Sequence, residues 1–304
     1  MKNQLQGIIP PMVTPLKDNN TLDIKGLESL IEYIISGGVH GLFILGTTGE
    51  GTNLRFELRY DLIQRVCLQV SKRVPVLVGI TDTSLAESIK MAEKAAKYGA
   101  DAVVSSPPYY FKLCQSELVG YYNDLANRLP LPLFLYNMPE HTKVYFEPET
   151  VREIAKNNRV IGLKDSSGNS VYFQTLIHAM KDNLKFSLLV GPDIITAESV
   201  LLGGHGGVNG GANLFPRLYV DMYKAAVTRD FNRLVPIQEK IRQLWYSIYF
   251  VIKSSSCHLT GIKCALSLMK ICNDFVASPF HKLNEKEKAT ILQFLEELDY
   301  KNLM

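Results

Sequence analysis

The chain has 304 residues, 46% of them hydrophobic and 21% charged, which is enough material for one large barrel or for two medium-sized domains. A formal net charge of +3, without any run of Lys or Arg, gives no indication of binding to nucleic acid or to a membrane surface. The longest aromatic and aliphatic run, LWYSIYFVI at 244–252, is too short to cross a bilayer, and the N-terminal residues lack a secretory signal pattern. Five cysteines with scattered spacing, and no Cys/His pattern of a zinc site, predict reduced thiols and a cytoplasmic protein.

Short apolar runs alternate with amphipathic helical stretches along the chain, and the alternation occurs eight times. The runs are apolar throughout rather than at every second position, which is typical of parallel strands covered on both faces. The predicted strands are 7–13, 41–46, 75–80, 101–107, 131–137, 159–165, 186–191 and 205–211, and the helical patterns between them include 23–38, 84–100 and 147–158. This order predicts a (β/α)8 TIM barrel over residues 1–230.

The remaining residues, 231–304, predict a helical extension packed on the barrel. Helical patterns cover 240–256, 260–272 and 284–302. No linker rich in Pro, Gly or Ser and no internal repeat divides the chain, so we expect one barrel with a C-terminal helical extension.

The segment VIGLKDSSGN at 160–169 places a lysine where an apolar strand ends. Lysine is rarely fully buried, so either the Lys164 stem is buried with its ammonium at the surface, or the residue belongs to a site that requires an uncharged amine. Barrels of this type form their active sites at the C-terminal ends of the strands, where Lys164 is predicted to lie, and this favours the second explanation. A desolvated amine condenses with a ketone to give a Schiff base, and the iminium lets the neighbouring C–C bond break or form.

Other polar groups are predicted at the same end of the barrel. GTTGEG at 46–51 supplies the hydroxyls of Thr47 and Thr48 and free backbone N–H groups in a tight turn, which suits a carboxylate. Tyr136 ends the fifth strand, and Tyr110 follows two prolines after the fourth. Each motif alone also has a structural explanation, either a capped glycine turn or a tyrosine packed in the core or a loop. Together, a lysine and a phenol next to a threonine hydroxyl would form the proton relay that Schiff-base chemistry needs.

The motifs GTTGE, PPYY, LYNMP, IGLKDSSGN and LLGGHGGVNGGAN, in this order and at these spacings, resemble the dihydrodipicolinate synthase / N-acetylneuraminate lyase family over about residues 5–215. Members of that family are class I lyases and synthases that act through a Schiff base with pyruvate. The resemblance implies that Lys164 forms the imine with pyruvate or another 2-oxo acid, and that Tyr136 delivers and removes protons. It also implies that Thr47 couples Tyr136 to Tyr110, which reaches in from a neighbouring subunit of a homodimer or homotetramer.

The same resemblance assigns the substrate contacts. Thr47 and Thr48 would hold the substrate carboxylate, the carbonyl of Val208 would line the pocket, and Gly191 would leave room for the incoming substrate. The resemblance implies no metal and no cofactor other than the covalent lysine imine.

The identity of the aldehyde depends on His141. Typical dihydrodipicolinate synthases carry an arginine at the matching position, which holds the carboxylate of aspartate semialdehyde. Here an imidazole that is mostly neutral at pH 7 lies next to the carboxylate of Glu140. Neuraminate lyases usually have a serine in place of Thr47 and an acidic residue in place of Ile194. The SSPPYYF loop at 105–111 and GGVNGGAN at 206–213 resemble the 2-keto-3-deoxy sugar-acid aldolases. The resemblance therefore favours cleavage of a 2-keto-3-deoxy sugar acid, with dihydrodipicolinate synthase and N-acetylneuraminate lyase as alternatives.

Two further hypotheses keep the fold and change the chemistry. A metal-dependent aldolase or hydrolase would need a cluster of ligands at the barrel rim, whereas His40, His141 and His205 are scattered in the sequence. A catalytically silent protein that only binds a 2-oxo acid would be expected to lack part of the catalytic set, and no member of that set is missing.

Overall fold

The computed structural model describes residues 4–254 and 256–304. In this part of the chain the strands are β1 (Gly7–Ile8), β2 (Leu16–Asp18), β3 (Thr21–Leu22), β4 (Leu42–Ile44), β5 (Val76–Gly79), β6 (Ala102–Ser105), β7 (Leu133–Asn137), β8 (Val160–Asp165), β9 (Ser187–Val190) and β10 (Gly206–Gly207). The helices are α1 (Ile24–Ser36), α2 (Phe56–Val70), α3 (Leu85–Tyr98), α4 (Gln115–Arg128), α5 (Pro139–Thr142), α6 (Pro148–Ile154), α7 (Ser170–Met180), α8 (Thr196–Leu201), α9 (Pro216–Val227), α10 (Phe231–Ile248), α11 (Cys257–Leu268), α12 (Glu285–Glu297) and α13 (Tyr300–Leu303).

The strands other than β2 and β3 form one parallel sheet in the order β1-β10-β9-β8-β7-β6-β5-β4. The sheet closes through a parallel bridge between Pro11 and Phe43. Beside it, the Met12 N–H donates to the Phe43 carbonyl at 2.8 Å, and the Phe43 N–H donates to the Pro10 carbonyl at 3.0 Å. The predicted barrel and its eight strands are therefore confirmed.

Side chains of successive strand residues point to opposite faces of the sheet, and this alternation sorts the core into two parts. On β7, Phe134 and Tyr136 belong to a small cluster inside the barrel, whereas Leu133 and Leu135 belong to the larger cluster between the barrel and its helices. Leu163 on β8 also belongs to the outer cluster. Lys164, the next residue, consequently faces the barrel interior.

An antiparallel pair, β2 with β3, precedes α1 and was not predicted. Its strands are only three and two residues long, joined by a polar turn in which the Asn20 N–H donates to Asp18 Oδ1 at 2.7 Å. Segments this short show no hydrophobic periodicity that would separate them from a loop.

The C-terminal extension is helical, as predicted, and α10 begins at Phe231. The predicted helix over 240–256 is wrong beyond Ile248, where α10 ends. At this point α11 packs against the end of α10 so closely that a Cβ on Gly261 would lie 2.1 Å from the Ile248 carbonyl oxygen. The domain boundary between residues 230 and 231 stays a prediction.

Among the described residues, no helix combines the length and apolar character needed to cross a bilayer.

Candidate active site

Lys164 and Tyr136 are register partners on the adjacent parallel strands β8 and β7. Both side chains are buried, with 5% and 6% of their surface exposed. The Lys164 Nζ lies 4.2 Å from the centre of the Tyr136 ring and 5.2 Å from the centre of the Phe43 ring. The amine is therefore held in an aromatic environment inside the mouth of the barrel.

Polar residues on the opposite face lock these two strands together. The Asn137 amide donates to Asp165 Oδ1 at 2.8 Å, and the Ser167 N–H and hydroxyl donate to the same carboxylate at 3.1 and 2.9 Å. Burial raises the pKa of Asp165, and these hydrogen bonds oppose the rise. Among the ion pairs of the described residues none involves Lys164. Its amine is not tied to a carboxylate and can turn towards a carbonyl carbon.

The threonine loop after β4 reaches the same point. Thr47 Oγ1 lies 3.2 Å from the Tyr136 hydroxyl, and Thr48 is buried in the cavity wall. The loop is tight, since a Cβ at Gly51 would lie 2.1 Å from the Leu45 carbonyl oxygen. A phenol hydrogen-bonded to a hydroxyl next to an amine can pass a proton to and from a reacting group.

A cavity of about 360 Å³ opens above Lys164 at the C-terminal ends of the strands. Seven of the eight predicted site residues line it, namely Thr47, Thr48, Tyr136, His141, Lys164, Gly191 and Val208. Tyr110 does not line it and has 80% of its surface exposed. One chain thus brings together the predicted set apart from the residue that was expected to come from a neighbouring subunit.

Gly191 borders the cavity, although the space beside it is already filled. A Cβ at this position would lie 2.1 Å from the Ser166 hydroxyl oxygen. Gly191 therefore makes room for Ser166, which also lines the cavity. Nearby, the Val208 N–H donates to the Val190 carbonyl at 2.8 Å, which fixes Val208 at the end of β10.

Asp193 organises the cavity wall after β9 and β10. The fully buried carboxylate accepts from the hydroxyls of Tyr219 (2.5 Å) and Tyr249 (2.8 Å) and from the N–H groups of Gly210 (3.1 Å) and Gly211 (3.0 Å). Burial raises the pKa of Asp193, and the four donors oppose the rise. Because Tyr249 follows α10, this network ties the C-terminal extension to the barrel mouth.

The C-terminal extension supplies a wall of the cavity that the sequence analysis missed. Its lining residues are Trp245, Tyr249, Phe250, Ser254, Cys257 and His258. The density of aromatic residues in LWYSIYFVI was the available signal. The sequence predicts a helix over this segment, but no local pattern shows that its aromatic side chains reach the mouth of the barrel.

Two histidines, His141 and His258, line this cavity. Burial lowers the pKa of His258 to about 4, with further lowering by His141 and Lys164. Burial also lowers the pKa of His141; Lys143 acts in the same direction and Glu140 opposes it. Both imidazoles are consequently neutral at pH 7 and can donate or accept hydrogen bonds without carrying charge.

A second cavity of about 340 Å³ meets the first at Thr47, Tyr136 and His141. It extends towards Arg59 and Tyr109, next to the exposed Tyr110 loop.

No three His, Cys, Asp or Glu side chains converge as metal ligands within residues 4–254 and 256–304. The expectation of a metal-independent reaction stays a prediction.

Comparison with known proteins adds the family. The model of the dihydrodipicolinate synthetase family matches residues 4–298. The chain is 35% identical over 243 residues to the probable 2-dehydro-3-deoxy-D-pentonate aldolase YjhH of Escherichia coli, a match that covers 79% of this chain and 81% of that protein. A solved dihydrodipicolinate synthase of Bacteroides thetaiotaomicron is 56% identical, with a TM-score of 0.95 over 98% of this chain and 100% of that chain. YagE, an Escherichia coli prophage protein of the dihydrodipicolinic acid synthase family solved in complex with pyruvate, is 30% identical, with a TM-score of 0.91 over 97% of this chain and 99% of that chain.

Proposed function

The chain belongs to the dihydrodipicolinate synthetase family of carbon–carbon lyases, and we propose that it cleaves a 2-keto-3-deoxy sugar acid reversibly into pyruvate and an aldehyde. The observation that carries this proposal is the Lys164 amine, buried 4.2 Å from the Tyr136 ring centre and free of an ion pair among the described residues. YagE, similar over nearly its whole length, was solved with pyruvate, which supports pyruvate as the product.

The chemistry follows from the positions of these groups. The Lys164 amine adds to the C2 carbonyl, water leaves, and the resulting iminium withdraws electrons from the neighbouring carbon. Tyr136, paired with Thr47 at 3.2 Å, takes the proton of the C4 hydroxyl as the C3–C4 bond breaks. The bonding electrons form an enamine, the aldehyde departs, and Tyr136 returns its proton to C3. Water then adds to the iminium, and pyruvate is released from the regenerated amine.

The carboxylate of the 2-oxo acid is assigned to the threonine loop. Thr47 and Thr48 present hydroxyls to the cavity that contains Lys164, and a tight turn also offers backbone N–H groups. Val208 and Gly191, with Ser166 beside it, close the opposite side. In this proposal the 2-oxo acid end of the substrate lies deep in the barrel, and the part of the cavity nearer to its mouth receives the aldehyde end.

The mouth of the 360 Å³ cavity suits an uncharged, hydroxylated aldehyde. Among the described residues that line this cavity, Lys164 is the only Lys or Arg, and its amine is used in the imine. His141 and His258 are neutral at pH 7 because burial lowers their pKa values, and Glu140 would repel a second carboxylate. Hydroxyl groups find partners in the imidazoles and in Ser254. The similarity to YjhH, a probable pentonate aldolase, agrees with this assignment.

Dihydrodipicolinate synthase activity is the second candidate, because the solved protein that is 56% identical carries that name. The deciding experiment compares kcat/KM for pyruvate plus aspartate semialdehyde with kcat/KM for cleavage of 2-keto-3-deoxy sugar acids. Lys164→Ala serves as the blank for both reactions. We expect cleavage to be preferred. A preference for aspartate semialdehyde by more than about a hundredfold, or about 3 kcal/mol, would show that His141 does not exclude a charged aldehyde.

We further propose that Tyr110 completes the site of a second subunit in a homodimer or homotetramer. The loop tip exposes three neighbouring aromatic side chains, Tyr109 (43%), Tyr110 (80%) and Phe111 (74%), and burial of such a group on association is favourable.

We place the protein in the cytoplasm, since its five cysteines are free and three of them, Cys67, Cys264 and Cys272, are buried.

A further inference from the structure

A buried ion pair lies behind the threonine loop. Glu50, two residues after Thr48, and Lys263, in the middle of α11, have fully buried side chains, and Lys263 Nζ donates to Glu50 Oε2. The same ammonium donates to the Phe275 carbonyl at 2.7 Å, and Glu50 Oε1 accepts from the Ala277 N–H at 2.6 Å. The pair therefore connects the threonine loop, α11 and the segment before α12.

Stability alone is a weak reason for this pair. Removing two charges from water is costly, and apolar residues of similar volume often replace a buried ion pair without loss of stability. Burial lowers the pKa of Lys263, which is the same desolvation cost acting on the ammonium, and Glu50 opposes it. An arrangement that is costly to bury and fixed by further hydrogen bonds points to a geometric role.

The geometry shows what the pair holds in place. Glu50 adopts a left-handed backbone conformation with φ of 56°, and its N–H donates to the Thr47 carbonyl at 3.1 Å. The position of the Glu50 side chain thereby limits where Thr47 and Thr48 can lie. At its other end the pair fixes α11, whose first turn places His258 in the cavity wall.

We propose that Glu50 and Lys263 are positioning residues that hold the carboxylate-binding threonines at a fixed distance from Lys164 and join them to the wall formed by α11. Neither residue lines the cavity, so both act through Thr47, Thr48 and His258. The inference rests on the proposed function in one respect, namely that the threonine loop receives the carboxylate of the 2-oxo acid.

The test measures imine formation with pyruvate alone, by borohydride inactivation at a series of pyruvate concentrations. The variants are Glu50→Gln, Lys263→Met and the double variant, each assayed at a temperature where circular dichroism shows the folded state. Lys72→Met is the matched control, because Lys72 also contacts one carboxylate (Asp101) and one carbonyl oxygen (Gly99), both at 2.7 Å, but on the exposed surface.

We expect the half-saturating pyruvate concentration to rise about tenfold in both single variants, the effect of a displaced hydrogen-bonding group, and to be unchanged in the control. In the double variant the unfolding temperature should recover relative to the single variants, while the half-saturating concentration stays raised. An unchanged half-saturating pyruvate concentration in folded Glu50→Gln would overturn the proposal. So would a half-saturating concentration that returns to the wild-type value in the double variant together with the unfolding temperature. Wild-type protein that is trapped by pyruvate but cleaves no sugar acid would contradict the proposed substrate and leave this inference standing.

Discussion

Lys164 and Tyr136 occupy matched positions on neighbouring parallel strands, with the lysine amine 4.2 Å from the centre of the tyrosine ring. Parallel pairing fixes this relationship through the backbone, and the hydrogen bond between Asn137 and Asp165 at 2.8 Å repeats it on the other face. The amine that would form the imine and the phenol that would move protons are therefore held by the rigid barrel rather than by a loop. Such preorganisation is what a reaction with several proton transfers requires.

Tyr136→Phe should keep the ring that lies against Lys164 and remove the proton relay. We expect kcat to fall by about 10²–10³, the contribution typical of a general acid–base group, with little change in unfolding temperature. Tyr33→Phe is the matched control, because its hydroxyl also hydrogen-bonds (to the Leu214 carbonyl, 2.5 Å) but lies outside the cavity. A near-normal kcat in Tyr136→Phe would mean that this tyrosine is only structural.

Thr47→Val and Thr48→Val should have different kinetic effects. Thr47 hydrogen-bonds Tyr136 at 3.2 Å, so its loss should lower kcat by about ten- to a hundredfold through the relay. Thr48 makes no such contact and lines the cavity, so its loss should chiefly raise KM for the 2-oxo acid. Steady-state kinetics of both variants separate the two effects. Equal effects of the two substitutions on kcat would contradict the division of roles.

Tyr110 should matter only in an assembled protein. Its side chain is 80% exposed in the single chain, so Tyr110→Phe should leave the folding of the subunit unchanged. If the hydroxyl reaches a neighbouring site, we expect kcat to fall about tenfold or more, in the range of a lost relay group. Analytical ultracentrifugation at assay concentration should show at least a dimer. A fully active monomer would refute the shared site.

His258 should make the protein less stable at mildly acidic pH. Burial lowers its pKa to about 4, while its ordinary value is 6.5, so between these values only the unfolded chain binds the proton. Its contribution to the free energy of unfolding is therefore most favourable above pH 6.5 and decreases as the pH falls towards 4. The decrease amounts to about 2 kcal/mol between pH 7 and pH 5.

The measurement for His258 is urea unfolding at pH 7 and at pH 5, for the wild type and for His258→Gln. The variant lacks the titrating group, so its free energy of unfolding should change less between the two pH values, by about the same 2 kcal/mol. Comparing the two proteins removes the contribution of the other titrating groups. Identical pH dependence in both proteins would show that His258 is protonated equally in the folded and unfolded states.

Local patterns predicted the fold and the family well. Continuous apolar runs such as 131–137 and 159–165 carry the information for buried parallel strands, and the parallel order of the sheet then aligns Tyr136 with Lys164. The family resemblance is confirmed by the match over residues 4–298. The roles assigned to the individual site residues stay predictions.

Long-range contacts could not be predicted in the same way. The cavity wall around His258 and the Glu50–Lys263 pair join segments that lie far apart in the sequence. A histidine near the start of a helix, or a lysine in the middle of one, has no local pattern that reveals its partner. The end of α10 at Ile248 likewise lies against Gly261 of α11, a contact that the residues of α10 alone do not reveal.

The central claim is that the Lys164 amine forms the imine, and borohydride trapping with pyruvate followed by peptide mapping tests it most directly. We expect irreversible inactivation, a single adduct on Lys164, and no adduct or turnover in Lys164→Ala. EDTA should leave the reaction unchanged. Lys143 is the alternative imine-forming lysine, because it lies two residues after His141. Its ammonium donates to the Glu140 carbonyl at 2.5 Å. An adduct on Lys143, or no adduct while turnover continues, would contradict the account.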